Sequence, residues 1–228
     1  MNGYTELTSF SKRIAEGVET GEQWRAVLDT DNHRMAMSAH YDKDNPCNVS
    51  IFIVDATQID EEDVEAAQEH FNMLAEDINM HIDTKVNSPV RIAVSIAGTK
   101  THGTKEGCDI FAIADAEDML NNPVIEAIHQ EALAKLRENR EVVNSRLVNA
   151  ISLGLGFYRL ATNPKTLDNY LDVHPELAEE VQTLKDQQSA HLVDREEHDN
   201  LYSNMYEKER INLFSRLLSY QKKRERRK

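Results

Sequence analysis

Three residues carry the chemistry open to this chain: His33, Asp55 and Cys108, in that order. Cys108 follows Gly107 and opens a helix-like apolar run through Ile110 and Phe111. His33 stands just ahead of an alternating, strand-like run, and Asp55 closes a second apolar run, Val49 to Val54. A thiolate, an imidazole that takes and returns its proton, and a carboxylate that orients the imidazole are the parts of a cysteine-nucleophile transferase or protease. At the head of a helix, unpaired N–H groups and the dipole favour a thiolate, and the Cys108 N–H could also serve an oxyanion. Each residue alone has an ordinary reading. A free cysteine is very often a small buried side chain, His33 is one of nine histidines, and Asp55 suits a strand-end turn. His40 is the rival base, mid-strand near Asp42, and Cys47 is the rival nucleophile, in a turn after Pro46 with nothing helical behind it.

The elements that must position these residues follow from periodicity. Leu7, Phe10, Ile14 and Val18 recur at helical spacing, which predicts an amphipathic helix over 5–20 closed by Gly21. Trp24 to Leu28 reads as a short strand. Met35, Met37, Ala39 and Tyr41 alternate with Arg34, Ala36, Ser38 and His40, which predicts a partly buried strand. Asp42-Lys43-Asp44-Asn45-Pro46 is a turn, and the run from Val49 to Val54 is a buried strand after it. Paired as a hairpin, the start of one strand lies beside the end of the next, so His33 and Asp55 become neighbours.

Val64, Ala67, Phe71, Leu74 and Ile78 predict a helix from Glu61 to about His81, its acidic first turn well placed on the dipole. A third strand over Val90–Ile96 leads through a polar loop, Gly98 to Gly107, to Cys108. A helix over 110–120 is broken by Asn121-Asn122-Pro123, and the rest reads as helices joined by short loops. The expected fold is α+β: a catalytic core over residues 1–160 and a helical lobe over 161–228, continuous with it.

Composition narrows the classes. The chain has 228 residues, 40% hydrophobic and 29% charged, enough to bury a substantial core. No apolar stretch is long enough for a transmembrane helix, and the N-terminus lacks the basic-then-apolar pattern of a Sec-type signal. Two cysteines make no disulfide framework. A net charge of −14 argues against nucleic-acid binding, which needs a basic face. The exception is the tail Lys222-Lys223-Arg224-Glu225-Arg226-Arg227-Lys228, a solubilising end or a contact for phosphate-rich ligands. No HExxH or CxxC pattern indicates a metal, no GxGxxG or GxxxxGK[ST] loop indicates a nucleotide, and Gly154-Leu155-Gly156 reads as a bend or close helix packing.

Asp31-Asn32-His33 before a strand, Phe52-Ile53-Val54-Asp55-Ala56 closing one, and Glu106-Gly107-Cys108-Asp109-Ile110-Phe111 together resemble the YopJ family of bacterial effector acetyltransferases. That family carries a histidine, a Glu or Asp closing an apolar strand, and a cysteine in a (D/E)CG(I/M)F-like run. Tyr202-Ser203-Asn204-Met205-Tyr206-Glu207-Lys208-Glu209-Arg210-Ile211 is similar to a family stretch ending in Lys-Arg-Ile. The resemblance implies a papain-like core related to the SUMO and ubiquitin-like proteases, with a small mixed sheet flanked by helices. It implies acetyl transfer from acetyl-CoA through an acetyl-cysteine to Ser, Thr or Lys of host proteins, often signalling kinases. It also implies activation by inositol hexakisphosphate bound to basic residues of the helical lobe, and secretion into the host cytoplasm without a Sec signal. Cys108 is then the nucleophile, His33 the base and acid, and Asp55 the orienting carboxylate.

Two positions depart from the family pattern. His102 stands where a Gln usually helps bind the oxyanion, and Asp109 replaces the glycine after the cysteine, its charge opposing a thiolate. The same triad would serve a protease acting on ubiquitin-like modifiers, and a degenerate, non-catalytic interaction protein is the third reading. Arg146, Arg159, Lys165 and Arg210 are activator-binding candidates by charge and location.

Overall fold

The computed structural model describes residues 3–30, 33–81, 89–101, 108–138, 146–158, 160–161 and 164–189. The chain runs α1 (Gly3–Thr20), β1 (Trp24–Thr30), β2 (His33–Tyr41), β3 (Asn48–Asp55), α2 (Glu61–His81), β4 (Arg91–Gly98), α3 (Cys108–Asp118), α4 (Pro123–Glu138), β5 (Arg146–Leu147), α5 (Pro164–Val173) and α6 (Ala178–Ser189), with 3-10 turns at Ala150–Leu153, Leu155–Tyr158 and Pro175–Leu177. Helix α1 ends as expected: Gly21, at φ +67°, adopts the left-handed conformation that glycine accepts without a steric penalty.

Among the described residues the strands form one sheet in the order β1-β2-β3-β4-β5. The first three strands are antiparallel neighbours, and β4 and β5 extend the sheet in parallel. The expected hairpin forms, with Ala36 opposite Val54 and Tyr41 opposite Val49. The parallel step from β3 to β4 needs a long crossover, which α2 provides.

Helices cover both faces of this sheet. On one face Met37, Ala39, Ile51, Ile53, Val94 and Ile96 pack with Ile14 of α1 and with Phe71, Leu74 and Ile78 of α2. On the other, Ala36, Phe52, Val54 and Ala97 pack with Ile125 and Ile128 of α4, Leu167 and Tyr170 of α5, and Val181 of α6. Strand β2 is partly buried, as expected, though its middle is covered more fully than alternation alone requires. Residues 36–39 are buried on both faces because a second helical layer covers the side that alternation assigns to solvent.

A second difference is β5. The region after Val124 was expected to be helical, yet Arg146 and Leu147 pair with Ser95 and Ile96, and Val148 donates its N–H to the Ile96 carbonyl at 2.8 Å. A two-residue strand has no periodicity of its own. Backbone pairing to a preformed edge creates it, and the Arg146 guanidinium pairs with Glu131 on α4.

Helix α4 docks through a buried histidine. His129 is fully buried, with Nε2 2.8 Å from Ser38 Oγ and Nδ1 2.9 Å from Ser50 Oγ, so one serine donates to the ring and the other accepts from it. The His40 ring stacks on it at 3.8 Å, and Phe52 meets it edge-on. Burial, reinforced by the His40 ring, holds His129 well below its ordinary value of 6.5. Burial also lowers His40, with Glu126 opposing the shift from 3.4 Å. The unfolded chain takes up protons at these histidines near pH 6.5 while the folded chain refuses them, so their contribution to stability is complete above that pH and is lost as pH falls below it. The thermal midpoint is therefore expected to drop between about pH 7 and 5, and His129→Gln, which hydrogen-bonds without titrating, should flatten that limb. A midpoint equal at both pH values would contradict this account.

Candidate active site

The hairpin brings two of the candidate residues together. His33 opens β2 and Asp55 closes β3, and the antiparallel register brings these two ends together. His33 Nε2 lies 2.8 Å from Asp55 Oδ2. Asp55 is 2% exposed, whereas the His33 side chain keeps 30% of its surface, so the ring is reachable and its partner is not. The other carboxylate oxygen, Oδ1, accepts both the backbone N–H and the hydroxyl of Thr57, each at 2.7 Å. The Asp55 carbonyl accepts the Thr99 N–H at 2.8 Å, which ties the end of β3 to the end of β4.

Cys108, the third candidate, comes from a different element. It is the first residue of α3, partly buried, and α3 packs across β2 and β1. Ile110 and Phe111, in the first turn, pack with Ala56 and Leu160. Because Ala56 directly follows Asp55, this cluster seats the head of α3 against the end of β3. Among the described residues Cys108 makes no hydrogen bond with the His33–Asp55 pair; catalytic hydrogen bonds commonly tighten only when substrate is bound. At the head of this 11-residue helix the thiol sits beside the unpaired backbone N–H groups of the first turn.

The rivals are placed elsewhere. Cys47 is 0% exposed, and burial raises its thiol, so it is sealed from substrate and held in the neutral form. His40 lies toward the far end of β2 from His33, stacked on His129. Of the activator candidates, Arg146 is paired with Glu131 and Lys165 is exposed on α5. Arg159, Arg210, His102, the 202–211 stretch and the basic tail lie outside the described residues, as does the side chain of Asp109. No cluster of three metal-ligating side chains occurs among the described residues.

Residues that sequence reasoning passed over support the pair. The chain leaving β4 turns at Lys100, whose φ of 55° is left-handed. Lys100 donates its N–H to the Thr57 carbonyl at 3.2 Å and receives the Thr166 hydroxyl of α5 on its own carbonyl at 3.3 Å. Thr99 and the wholly buried Thr101 join hydroxyls at 2.9 Å. The signal for Thr57 was legible in Asp55-Ala56-Thr57, since an Asp side chain readily accepts the N–H two residues on.

A histidine–carboxylate pair thus stands at the end of a mixed sheet, and the helix that a cysteine opens packs its first turn on the residue after the carboxylate. The YopJ serine/threonine acetyltransferase family profile matches residues 2–216, and the chain belongs to that family. Its fold is similar to that of AvrA, solved as a single-residue deletion form with IP6 and CoA, with a TM-score of 0.58 and 13% identity over 93% of this chain and 78% of that one. HopZ1a in complex with IP6 aligns with a TM-score of 0.47 and 13% identity over 71% of this chain and 59% of that one. No curated protein matches the chain by sequence.

Proposed function

We propose that this acetyltransferase moves an acetyl group from acetyl-CoA to Cys108, and from there to Ser, Thr or Lys side chains of host signalling proteins such as kinases. The observation that carries the reading is the 2.8 Å contact between His33 and the buried Asp55, beside the helix that Cys108 opens. With Nε2 committed to Asp55, proton exchange with the thiol falls to the opposite ring nitrogen, Nδ1. His33 takes the thiol proton. The thiolate attacks the thioester carbonyl, a new carbon–sulfur bond forms, and the CoA sulfur leaves with the proton returned by His33. In the second half His33 takes the proton of the acceptor hydroxyl or amine, the acceptor attacks the acetyl carbon, and Cys108 leaves as thiolate. Asp55 holds the ring in one tautomer and stabilises the imidazolium that forms.

Residues 1–160 form the catalytic core in this reading and 161–228 the regulatory lobe. Leu167 and Tyr170 of α5 and Val181 of α6 share one hydrophobic cluster with Phe52 and Val54 of the sheet, which supports a continuous lobe. Inositol hexakisphosphate is the activator we assign. On a chain of net charge −14, a dense polyanion requires a local concentration of Lys and Arg, which the sequence supplies at 222–228. Delivery into the host cell without a Sec signal belongs to the same reading. Among the described residues no helix is long and apolar enough to cross a membrane.

Incubation with labelled acetyl-CoA, with and without inositol hexakisphosphate, tests the proposal. Label should accumulate on Cys108 as a hydroxylamine-sensitive thioester, faster with the polyphosphate. Absence of label, together with capture of Cys108 by an electrophilic ubiquitin-like probe, would replace transfer with proteolysis.

A further inference from the structure

We propose that Thr57 is a positioning residue of this site, fixing which oxygen of Asp55 faces His33; the inference rests on the triad reading above. The two carboxylate oxygens have separate duties. Oδ2 meets His33 Nε2 at 2.8 Å, and Oδ1 accepts the Thr57 N–H and hydroxyl, both at 2.7 Å. A carboxylate's terminal torsion is intrinsically broad, so rotation about it is limited only by what the oxygens bind. Two charge-assisted donors on one oxygen set the carboxylate plane and leave the other oxygen aimed at the ring.

Thr57 is itself held by the sheet's end. Its carbonyl accepts the Lys100 N–H at 3.2 Å, and Lys100 sits in the left-handed region that side-chain-bearing residues seldom occupy. Gly98 faces Asp55 in the parallel register. A Cβ at position 98 would lie 2.8 Å from the Thr57 carbonyl oxygen and 2.7 Å from the Ile59 nitrogen, closer than carbon atoms approach. Only a residue without a side chain lets the segment after β3 fold back over β4, and that fold-back puts the Thr57 hydroxyl against Asp55. Among the described residues the hydroxyl's hydrogen bond goes to Asp55. It acts through the carboxylate.

The test uses the full chain and two readouts: the rate of acetyl labelling of Cys108 from acetyl-CoA with inositol hexakisphosphate, and alkylation of Cys108 by iodoacetamide. Thr57→Val keeps the shape and loses the hydroxyl. It should slow both rates about tenfold, the rate equivalent of one charge-assisted hydrogen bond. Thr57→Ala, with no methyl pair to misfit, should match it, and Thr57→Ser should stay within about threefold of wild type. Wild-type rates in Thr57→Val or Thr57→Ala overturn the proposal, as does a Thr57→Ser chain as slow as Thr57→Val. Asp55→Ala separates the two levels: wild-type rates in that chain would sink the triad reading itself, whatever Thr57 does.

Discussion

Cys108→Ala is expected to abolish acetyl labelling of the chain and transfer to any acceptor, because the acetyl group then has no sulfur to occupy. The other thiol cannot substitute, since Cys47 is 0% exposed and burial raises its pKa. His33→Ala keeps the nucleophile and removes the group that ionises it, so the labelling rate should fall on the order of 10²–10⁴-fold. The two substitutions act on one unit, so the double variant should be no slower than Cys108→Ala alone. Intact mass after a timed incubation with acetyl-CoA, before and after hydroxylamine, reads all three chains. Thioester label at wild-type level in Cys108→Ala would move the nucleophile elsewhere and dissolve the site described here.

Asp55→Asn should be nearly as damaging, lowering transfer on the order of 10³–10⁴-fold. The reason lies in the donors around the carboxylate. Thr57 presents an N–H and a hydroxyl to Oδ1, so an amide at position 55 turns its oxygen toward Thr57 and its NH₂ toward His33. An NH₂ facing Nε2 demands that Nε2 accept, which places the ring proton on Nδ1, the nitrogen that must take the thiol proton. Asparagine at this place therefore selects the wrong tautomer, whereas an asparagine offering its oxygen would select the right one. Transfer rates in Asp55→Asn and Asp55→Ala, measured alongside thermal midpoints, check this. An Asp55→Asn chain within threefold of wild type would show that the amide oxygen reaches the ring and that Thr57 does not dictate the orientation.

Much of the fold is written in local pattern. The apolar spacing of Val64, Phe71, Leu74 and Ile78 places α2 because a helix with a continuous apolar stripe has one way to bury it. The turn at 42–46 and the apolar run to Val54 give the β2–β3 hairpin, and a hairpin has one consequence: the start of the first strand meets the end of the second. Other features have no local signature. Strand β5 exists because β4 offers an edge, and the burial of Ala36 and Ser38 exists because α3 and α4 cover a face that alternation leaves open. His129, one histidine on an otherwise ordinary amphipathic helix, gains its role only when Ser38 and Ser50 from neighbouring strands arrive on either side of its ring.

His33, Asp55 and Cys108, their order along the chain, and the family's motif around each of them are properties of the sequence, because residue type alone decides which groups can ionise, accept a proton or attack. Tertiary structure decided how those groups are held. Only the folded sheet brings Gly98 against the Thr57–Ile59 segment, sets His33 against one oxygen of Asp55 while the local Thr57 holds the other, and seats the first turn of α3 on Ala56.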